Sequence, residues 1–508
     1  MLSIQGTRRT LCDGVHRRDL LRIGGLGAFG WGLGDSLAVR AMATEAAPAD
    51  SAFGKAKACI LIFLYGSPPQ HEMFDPKPDA PAEIQGPTKV IDTSLPGLRI
   101  GEGLPRVARV MDKVTVARSL THEYPLHGVA YAVSGLPLYS TDLELRARDA
   151  RHWPYVGSVV DYVMEQRAAK LAASSTSPVA SRVPRQMALP WMLNSHTDQL
   201  VNAGPFAAFL GPAHDPVWTD FTGEGTHLVP KYTDSQPKEF LDPFGGITKE
   251  GRLHLSKDTK LPEDISLERL GLRRSLLAQF NESRMALDRQ LGTRGFDGPR
   301  QRALSLITSS AIHEALDLNR EAETLRDQYG MTLFGQSCLA ARRLVEAGSQ
   351  FVTVFWDGYG QFGGCAWDTH NNHFPRLNDY LLPGFDRAYS GLINDLESRG
   401  LLDETLVLCI SEHGRTPKID SKPKGAGRHH WSRAYSALLA GGGIARGRVV
   451  GQTDYIAGDV AELPISPKDI LATSLHLLGI DPHTMVRDLL GRPLPVAGKG
   501  EVRPELLA

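Results

Sequence analysis

The sequence has few cysteines, almost no net charge and no hydrophobic run long enough to cross a membrane. Its 508 residues include 56 Lys+Arg and 57 Asp+Glu, so the chain lacks the positive excess that a nucleic-acid partner favours. The five cysteines are widely spaced, and no pair has zinc-ligand spacing, so we expect neither a disulfide framework nor a cysteine zinc site. Apolar residues make up 42% of the chain, which is ordinary for a globular protein with a buried core.

The amino-terminal segment, residues 1–43, differs from the rest of the chain. Paired arginines, Arg17 and Arg18, precede a Gly-rich, weakly apolar stretch at 23–38, which Asp35 interrupts. This stretch is shorter than the roughly 20 residues of a membrane span, so a removed export signal fits better than an anchor. The paired arginines indicate the twin-arginine route. We therefore expect the twin-arginine export machinery as a partner, no stable membrane span and a periplasmic or otherwise extracytoplasmic location; a disordered basic tail is the alternative.

Beyond a spacer at residues 44–56, short apolar runs alternate with helical stretches. Buried-strand patterns include KACILIFLYG at 57–66, QFVTVFWDG at 350–358 and LVLCISEHG at 406–414. Strands that alternate with helices of ten or more residues predict βαβ units, hence an α/β fold with a large, mostly parallel sheet and helices on both faces. We expect a single domain over residues 57–495, with an irregular insert at about 219–266, and a tail at 496–508.

Acids and histidines follow four of the predicted strands, and a further pair of histidines precedes a fifth. The groups are His71, Glu72 and Asp75; Ser119, Thr121, His122 and His127; Asp368, His370 and His373; Glu412 and His413 with Arg415; and His429 with His430. Open α/β sheets bind ligands at the carboxyl ends of their strands, and carboxylates with neutral imidazoles suit zinc, iron or manganese. Each group alone could be a packing histidine or a helix cap, but together they predict a shared metal site.

Several motifs resemble the uncharacterised bacterial family numbered 1501 among the domains of unknown function. They are QHEMFDPKPDAPAEI at 70–84, FGQSCLAARRLVEAG at 334–348, WDTHNNHF at 367–374, LLDETLVLCISEHGRTPKI at 401–419 and GRHHW at 427–431. The resemblance extends from about Lys57 to about Pro495. The family is similar to the alkaline phosphatase and sulfatase superfamily, so the resemblance implies a large parallel sheet that carries a two-metal centre.

Carried over to this chain, the resemblance implies two divalent ions, of zinc, iron or manganese. The implied ligands are Glu72, Asp368, His370, Glu412, His413 and His430. Arg415 would then hold an anionic oxygen of the substrate, for which a guanidinium is well shaped. Glu72 and Glu412 depart from the superfamily, which commonly has aspartate at both places. His370 follows the preceding aspartate more closely than in many phosphatases, so His373 is a rival ligand.

The nucleophile of the superfamily has no clear counterpart in this sequence. The Cys/Ser-x-Pro-x-Arg motif of sulfatases, which is converted to formylglycine, is absent. Thr121 and Ser119 are the nearest hydroxyl candidates, and His127 is a candidate for replacing that role with a metal bond. We interpret the chain as an exported metal-dependent hydrolase of phosphate or sulfate esters, with Thr121, His127 and Arg415 as catalytic residues and a small-molecule or polysaccharide ester as substrate.

Two other interpretations stay open. The same framework could transfer a phosphoryl group between hydroxyls of one substrate. Alternatively, the protein is a non-catalytic extracytoplasmic binding module whose metal site is structural or degenerate, which the lack of an unambiguous nucleophile favours.

Overall fold

A nine-stranded sheet forms the centre of the protein. The computed structural model describes residues 52–124, 128–135, 143, 146–174, 183–197, 204–232, 237–256, 309–360, 367–421 and 425–508. The strands of the sheet are β1 Ala58–Leu64, β2 Val114–Leu120, β3 Gln186–Leu189, β4 Val217–Thr222, β5 Arg252–Leu255, β6 Phe351–Trp356, β7 Thr405–Ile410, β8 Tyr435–Ala440 and β9 Arg448–Val450. Their spatial order is β9-β2-β8-β7-β1-β6-β3-β4-β5.

The sheet is mostly parallel, as the sequence predicts. β1 pairs in parallel with β6 and β7, and β3 joins β6 to β4 in the same sense. Among the described strands, β8 and β5 run antiparallel to their neighbours. The predicted α/β class with a large, mostly parallel sheet is therefore confirmed.

Helices cover both faces of this sheet. The α-helices are α1 Ala82–Gln85, α2 Val129–Ser134, α3 Val156–Ser174, α4 Ser310–Leu316, α5 Glu323–Tyr329, α6 Leu333–Glu346, α7 His373–Arg376, α8 Leu382–Ser398 and α9 Pro467–Leu477. A π-helical turn, Leu377–Leu381, joins α7 to α8. Short 3-10 turns occur at Val107–Lys113, Ala208–Leu210, Pro212–His214, Leu318–Arg320, Leu402–Glu404 and Pro504–Leu506.

The apolar run of β1 forms a strand because both of its faces are buried. Ile60 and Ile62 belong to one hydrophobic cluster, together with residues of α6 and α8. Leu61 and Phe63 belong to the second cluster, with residues of α3 and α9. Side chains alternate between the two faces of a strand, so the residues of a continuous apolar run pack alternately into the two clusters.

The direction of β8 decides where the histidines before it lie. Because β8 is antiparallel to β7, its amino end lies at the edge where β1, β6 and β7 have their carboxyl ends. The short pairing of Gly414–Arg415 with His430–Trp431 joins the segment after β7 to the segment before β8. The groups that the sequence places at different strand ends therefore meet at one edge.

The segment 219–266 is more regular, over its described part, than the sequence indicated. β4 and β5 pair with each other and extend the main sheet at its edge, and Leu228–Tyr232 pairs with Pro237–Leu241 as a hairpin. Three further strand pairs lie outside the main sheet: Val90–Asp92 with Arg99–Gly101, Gln452–Thr453 with Val460–Glu462, and Met485–Arg487 with Pro493–Pro495.

Two further sequence expectations concern cysteines and membrane spans. Cys59, Cys338 and Cys409 are buried free thiols, whereas Cys12 and Cys365 lie outside the described residues. None of the described helices has the length and apolar composition needed to cross a membrane.

Candidate metal centre

Three side chains converge at the shared edge of β1, β6 and β7. Asp368 and His370 follow β6 and precede α7, and His430 precedes β8. The Nε2 atom of His370 lies 2.9 Å from Asp368 Oδ1 and 3.0 Å from His430 Nε2. His430 Nε2 lies 3.3 Å from the same Asp368 oxygen. One candidate ligand atom from each residue therefore faces a common point.

These spacings fit a metal ion. Ligand atoms bound tetrahedrally to one zinc ion at about 2.0–2.1 Å lie about 3.3 Å apart, and the three measured separations lie close to that value. One carboxylate oxygen and two imidazole nitrogens suit zinc, iron or manganese. The side chains of Asp368, His370 and His430 are 17%, 32% and 22% exposed, so a ligand can reach them from solvent.

Arg415 lies directly beneath this cluster and is fully buried. Its Nη2 atom donates to Asp368 Oδ1 at 2.5 Å and to the Trp367 carbonyl at 3.1 Å. Its Nε atom donates to the Ser67 carbonyl at 2.9 Å, and Nη1 donates to the Arg428 carbonyl at 3.2 Å. In this arrangement the guanidinium connects the ends of several loops and orients Asp368. Its predicted contact with a substrate oxygen stays a prediction.

Gly66 allows β1 to approach these residues closely. Its N–H donates to Glu412 Oε1 at 2.8 Å, and its carbonyl accepts a short hydrogen bond from Arg415. The φ angle is +100°, and a Cβ at this position would lie 2.5 Å from the backbone nitrogen of Asp368. Only glycine fits this contact without a shift of the backbone that carries Asp368.

A series of polar contacts supports the His370 ring on its solvent-facing side. Its Nδ1 atom lies 2.9 Å from His429 Nδ1, and His429 Nε2 lies 2.9 Å from Asp420 Oδ2. Partners of this kind fix the ring orientation of a metal-binding histidine. Asp420 and His429 are partly exposed, so this support lies at the rim of the site.

Glu72, a predicted metal ligand, forms a buried ion pair with Arg428, and its role as a ligand stays a prediction. Its Oε1 atom accepts from Arg428 Nη2 at 2.6 Å and from Nε at 3.1 Å. Its Oε2 atom lies 3.2 Å from Nε2 of His373, the rival ligand of the sequence analysis. Burial alone would raise the pKa of Glu72, but the charges of Arg428 and His373 outweigh it and hold the pKa well below its usual range.

Glu412 and His413 lie beside the cluster at the end of β7. The His413 ring centroid is 4.6 Å from that of His430, and His413 Nδ1 lies 2.8 Å from the Gly414 carbonyl. The Glu412 carbonyl lies 2.8 Å from His122 Nε2, which ties the end of β2 to the end of β7. Burial lowers the pKa of His122, so its ring is neutral at pH 7 and Nε2 acts as the donor in this contact.

Thr121, a predicted catalytic residue, lies just after β2. Thr121 is half-buried, and its N–H donates to the Ile465 carbonyl at 2.9 Å. The alternative hydroxyl, on Ser119, is buried and donates to the Leu463 carbonyl at 2.5 Å. His127 lies outside the described residues. Of the nine predicted site residues, the structure therefore brings Asp368, His370 and His430 into one group of candidate ligand atoms.

Several residues of this edge were not predicted to have a role. Arg428 belongs to the GRHHW motif, but nothing in that motif indicates that its side chain is buried. Asp420 and Ser67 had no sequence signal of their own. Ser67 has a left-handed backbone with φ 67°, and its buried hydroxyl has no hydrogen-bond partner among the described atoms; strain of this kind is common at functional sites.

A cleft of about 360 Å³ lies near the site on its α7 side. Arg376 and Tyr380 contribute to its lining, and Nη1 of Arg376 donates to the Asp368 carbonyl at 2.9 Å.

Comparison with known proteins gives one family match. The family described as "Protein of unknown function (DUF1501)" matches residues 56–507. No curated protein matches the sequence.

Some solved structures are similar at low identity. The PsFucS1 sulfatase from Pseudoalteromonas sp. has 12% identity and a TM-score of 0.35, with 84% of this chain and 68% of that chain covered. The phosphonate monoester hydrolase SpPMH from Silicibacter pomeroyi has 11% identity and a TM-score of 0.34, with coverages of 89% and 76%. A protein in the alkaline phosphatase superfamily from Vibrio parahaemolyticus has 11% identity and a TM-score of 0.34, with coverages of 88% and 70%.

Proposed function

The chain belongs to the family described as "Protein of unknown function (DUF1501)", and from its candidate metal centre we propose that it is a metal-dependent hydrolase of phosphate or sulfate esters. The observation that supports this most directly is the convergence of Asp368 Oδ1, His370 Nε2 and His430 Nε2 at separations of 2.9–3.3 Å. The three side chains are partly exposed, as a site that admits a substrate requires.

The surrounding residues prepare the site for an anionic substrate. The charge of Asp368 is already compensated by Arg415 at 2.5 Å, so a bound divalent ion would give this part of the site a positive charge. A phosphate or sulfate ester is attracted to such a charge. When bound, the ion would supply Lewis-acid polarisation of an ester oxygen and activation of a water for attack.

The protein's own residues hold this arrangement in place. Arg415 orients Asp368, while His429 and Asp420 orient the His370 ring from the opposite side. Since catalytic groups must be held within a fraction of an ångström of their working geometry, these contacts are part of the function. Attack on the ester comes from water or from the Thr121 hydroxyl, which the sequence analysis offered as nucleophile.

The test combines metal content with ester turnover. Protein made without a histidine tag is assayed for zinc, iron and manganese by mass spectrometry, and for hydrolysis of 4-nitrophenyl phosphate and 4-nitrophenyl sulfate. Asp368→Asn and His430→Ala should each lose the metal and reduce turnover by more than the roughly 10–100-fold that loss of a group supporting a metal ligand costs. His483→Ala changes an exposed histidine and serves as the matched control.

Two results would count against the hydrolase. Metal-free wild-type protein, or metal that both variants retain, would remove the basis of the proposal. Metal that is bound and lost as expected, without turnover of either ester class, would instead favour the binding module with a structural metal.

We further propose that residues 1–43 direct export through the twin-arginine machinery to the periplasm or another extracytoplasmic location. Replacing both arginines, Arg17→Lys with Arg18→Lys, should leave the unprocessed protein in the cytoplasm. Export of the double variant at the normal rate would contradict this.

A further inference from the structure

A second group of candidate metal ligands lies at the amino edge of the sheet. Asp161 and Glu165 belong to α3, and His214 ends the 3-10 turn that precedes β4. The Nδ1 atom of His214 lies 2.7 Å from Asp161 Oδ2 and 3.6 Å from Glu165 Oε2. We propose that these three side chains, the amino-edge cluster, bind a divalent ion of zinc or manganese that joins α3 to the segment before β4.

The amino-edge cluster is separate from the candidate metal centre described above. Gln186, the first residue of β3, is in register with Phe351, the first residue of the parallel strand β6, and its Nε2 atom donates to the His214 carbonyl. Asp368 follows the other end of β6. Since β6 has six residues and a strand rises about 3.3 Å per residue, these two edges of the sheet are about 20 Å apart.

The positions and types of the three residues suit a divalent ion. Asp161 and Glu165 are four residues apart on a helix and therefore project from the same side of α3. The candidate ligand atoms all lie within 4.8 Å of one another, and two carboxylate oxygens with one imidazole nitrogen are ligands that zinc and manganese accept. Asp161 and His214 are buried, whereas the Glu165 side chain is 32% exposed, so an ion can enter past Glu165.

The amide of Gln186 gives an independent indication of a ligand. Because its Nε2 atom donates to the His214 carbonyl, its Oε1 atom faces α3, where it would lie 2.7 Å from a Cβ at Gly157. Gly157, Asp161 and Glu165 follow one another at intervals of four, so this oxygen lies on the helical face that carries both carboxylates. It is buried and has no hydrogen-bond partner among the described atoms. An unpaired buried acceptor is costly, and a water that completes the coordination of the ion would donate to it.

The charge of the amino-edge cluster also favours a cation. Nη1 of Arg185 lies 3.6 Å from Asp161 Oδ1, so one guanidinium accompanies two carboxylates and one negative charge is left uncompensated. Buried charge is unfavourable unless it is paired. The rival occupant of the space between the three ligand atoms is a proton on His214, which would form an ion pair without any metal.

The test counts ions in a protein whose candidate metal centre has been removed. The double variant, Asp368→Asn with His430→Ala, leaves the amino-edge cluster intact. It is incubated with excess Zn²⁺ or Mn²⁺, passed through gel filtration and measured by elemental and native mass spectrometry, and one ion per chain should remain. Adding Glu165→Gln should lower the bound metal by more than the roughly tenfold that loss of a supporting group costs. Asp481→Asn changes an exposed carboxylate that also contacts a histidine; it is the matched control and should retain the ion.

A second measurement follows thermal unfolding. An ion that binds only the folded chain raises its melting temperature, so Zn²⁺ should stabilise the double variant and have no such effect once Glu165→Gln is added. Circular dichroism verifies the fold. If the variant with Glu165→Gln fails to fold, Glu165→Asp takes its place, since it keeps the charge but withdraws the ligand oxygen from His214.

The inference is overturned if the double variant holds no ion, or if Glu165→Gln leaves the bound metal unchanged. Equal loss of metal in the Asp481→Asn control would also overturn it, because binding would then be non-specific. None of these results bears on the proposed hydrolase, whose metal centre is tested in the wild type.

Discussion

Removing one partner of the Glu72–Arg428 pair should destabilise the protein strongly, and removing both should restore much of the loss. Both side chains are buried, with Nη2 and Oε1 separated by 2.6 Å. Arg428→Met leaves a carboxylate without its cation inside the protein, and Glu72→Gln leaves a guanidinium without its anion. Breaking a buried pair from one side costs about 3–5 kcal/mol.

The double variant, Glu72→Gln with Arg428→Met, has no unpaired buried charge. Replacing both members of such a pair by groups of similar volume is often neutral or even stabilising. We therefore expect the double variant to lose clearly less than the two single variants together, although the carbonyls of Ile84, Thr416 and Pro417 also lose their hydrogen bonds to Arg428. The interaction energy from the double-mutant cycle should thus be several kcal/mol.

The assay is urea unfolding followed by tryptophan fluorescence at pH 7, with the free energy taken from the midpoint. The partly exposed pair of Arg446 with Glu397 is the matched control, and Arg446→Met should cost less than about 1 kcal/mol. The reasoning is refuted if either single variant loses under about 1 kcal/mol, or if the double variant loses as much as the two single variants together.

Four further predictions concern pH, packing and the nucleophile. Burial, followed by the charge of Arg428, lowers the pKa of His71 to about 4. The contribution of neutral His71 to the unfolding free energy should therefore be fully present above pH 6.5 and decline by up to about 3 kcal/mol as the pH falls towards 4. In His71→Gln, the urea midpoints at pH 7 and pH 5 should differ less than in the wild type. Burial raises the pKa of Asp386 to about 6, so the protein is more stable at low pH, where this carboxyl is protonated, and loses that stability as the pH rises through 6. Asp386→Asn should therefore raise the unfolding free energy at pH 7.5 and leave it unchanged near pH 4. A lower unfolding free energy of the variant at pH 7.5 would contradict this. Gly66→Ala should displace Asp368, since the new Cβ would lie 2.5 Å from its backbone nitrogen, and a normal metal content in this variant would show that the contact is unimportant. Thr121→Val should abolish turnover while the metal content stays normal if Thr121 is the nucleophile, and unchanged turnover would leave water as the attacking group.

The apolar strands of the sheet could be predicted from the sequence because their signal is local. A run such as that of β1, with buried residues on both faces, is apolar throughout because it contributes to two hydrophobic clusters. The position of Asp368, His370 and His430 near strand ends is equally local information. The strands at 217–222 and 252–255 were missed because an edge pair with half-buried residues has no strong period of its own.

The sequence by itself determined the fold class, the edge of the sheet at which acids and histidines gather and the residue types available there, because each follows from short apolar runs and from motifs within a few residues. Only the tertiary structure decided which acid pairs with which cation. Glu72 and Arg428 are 356 positions apart, and nothing in either local sequence shows that they meet. The same holds for His370 and His430, which come together because β8 runs antiparallel to β7. Charge pairing and strand direction depend on contacts between distant segments, and such contacts exist only once the chain has folded.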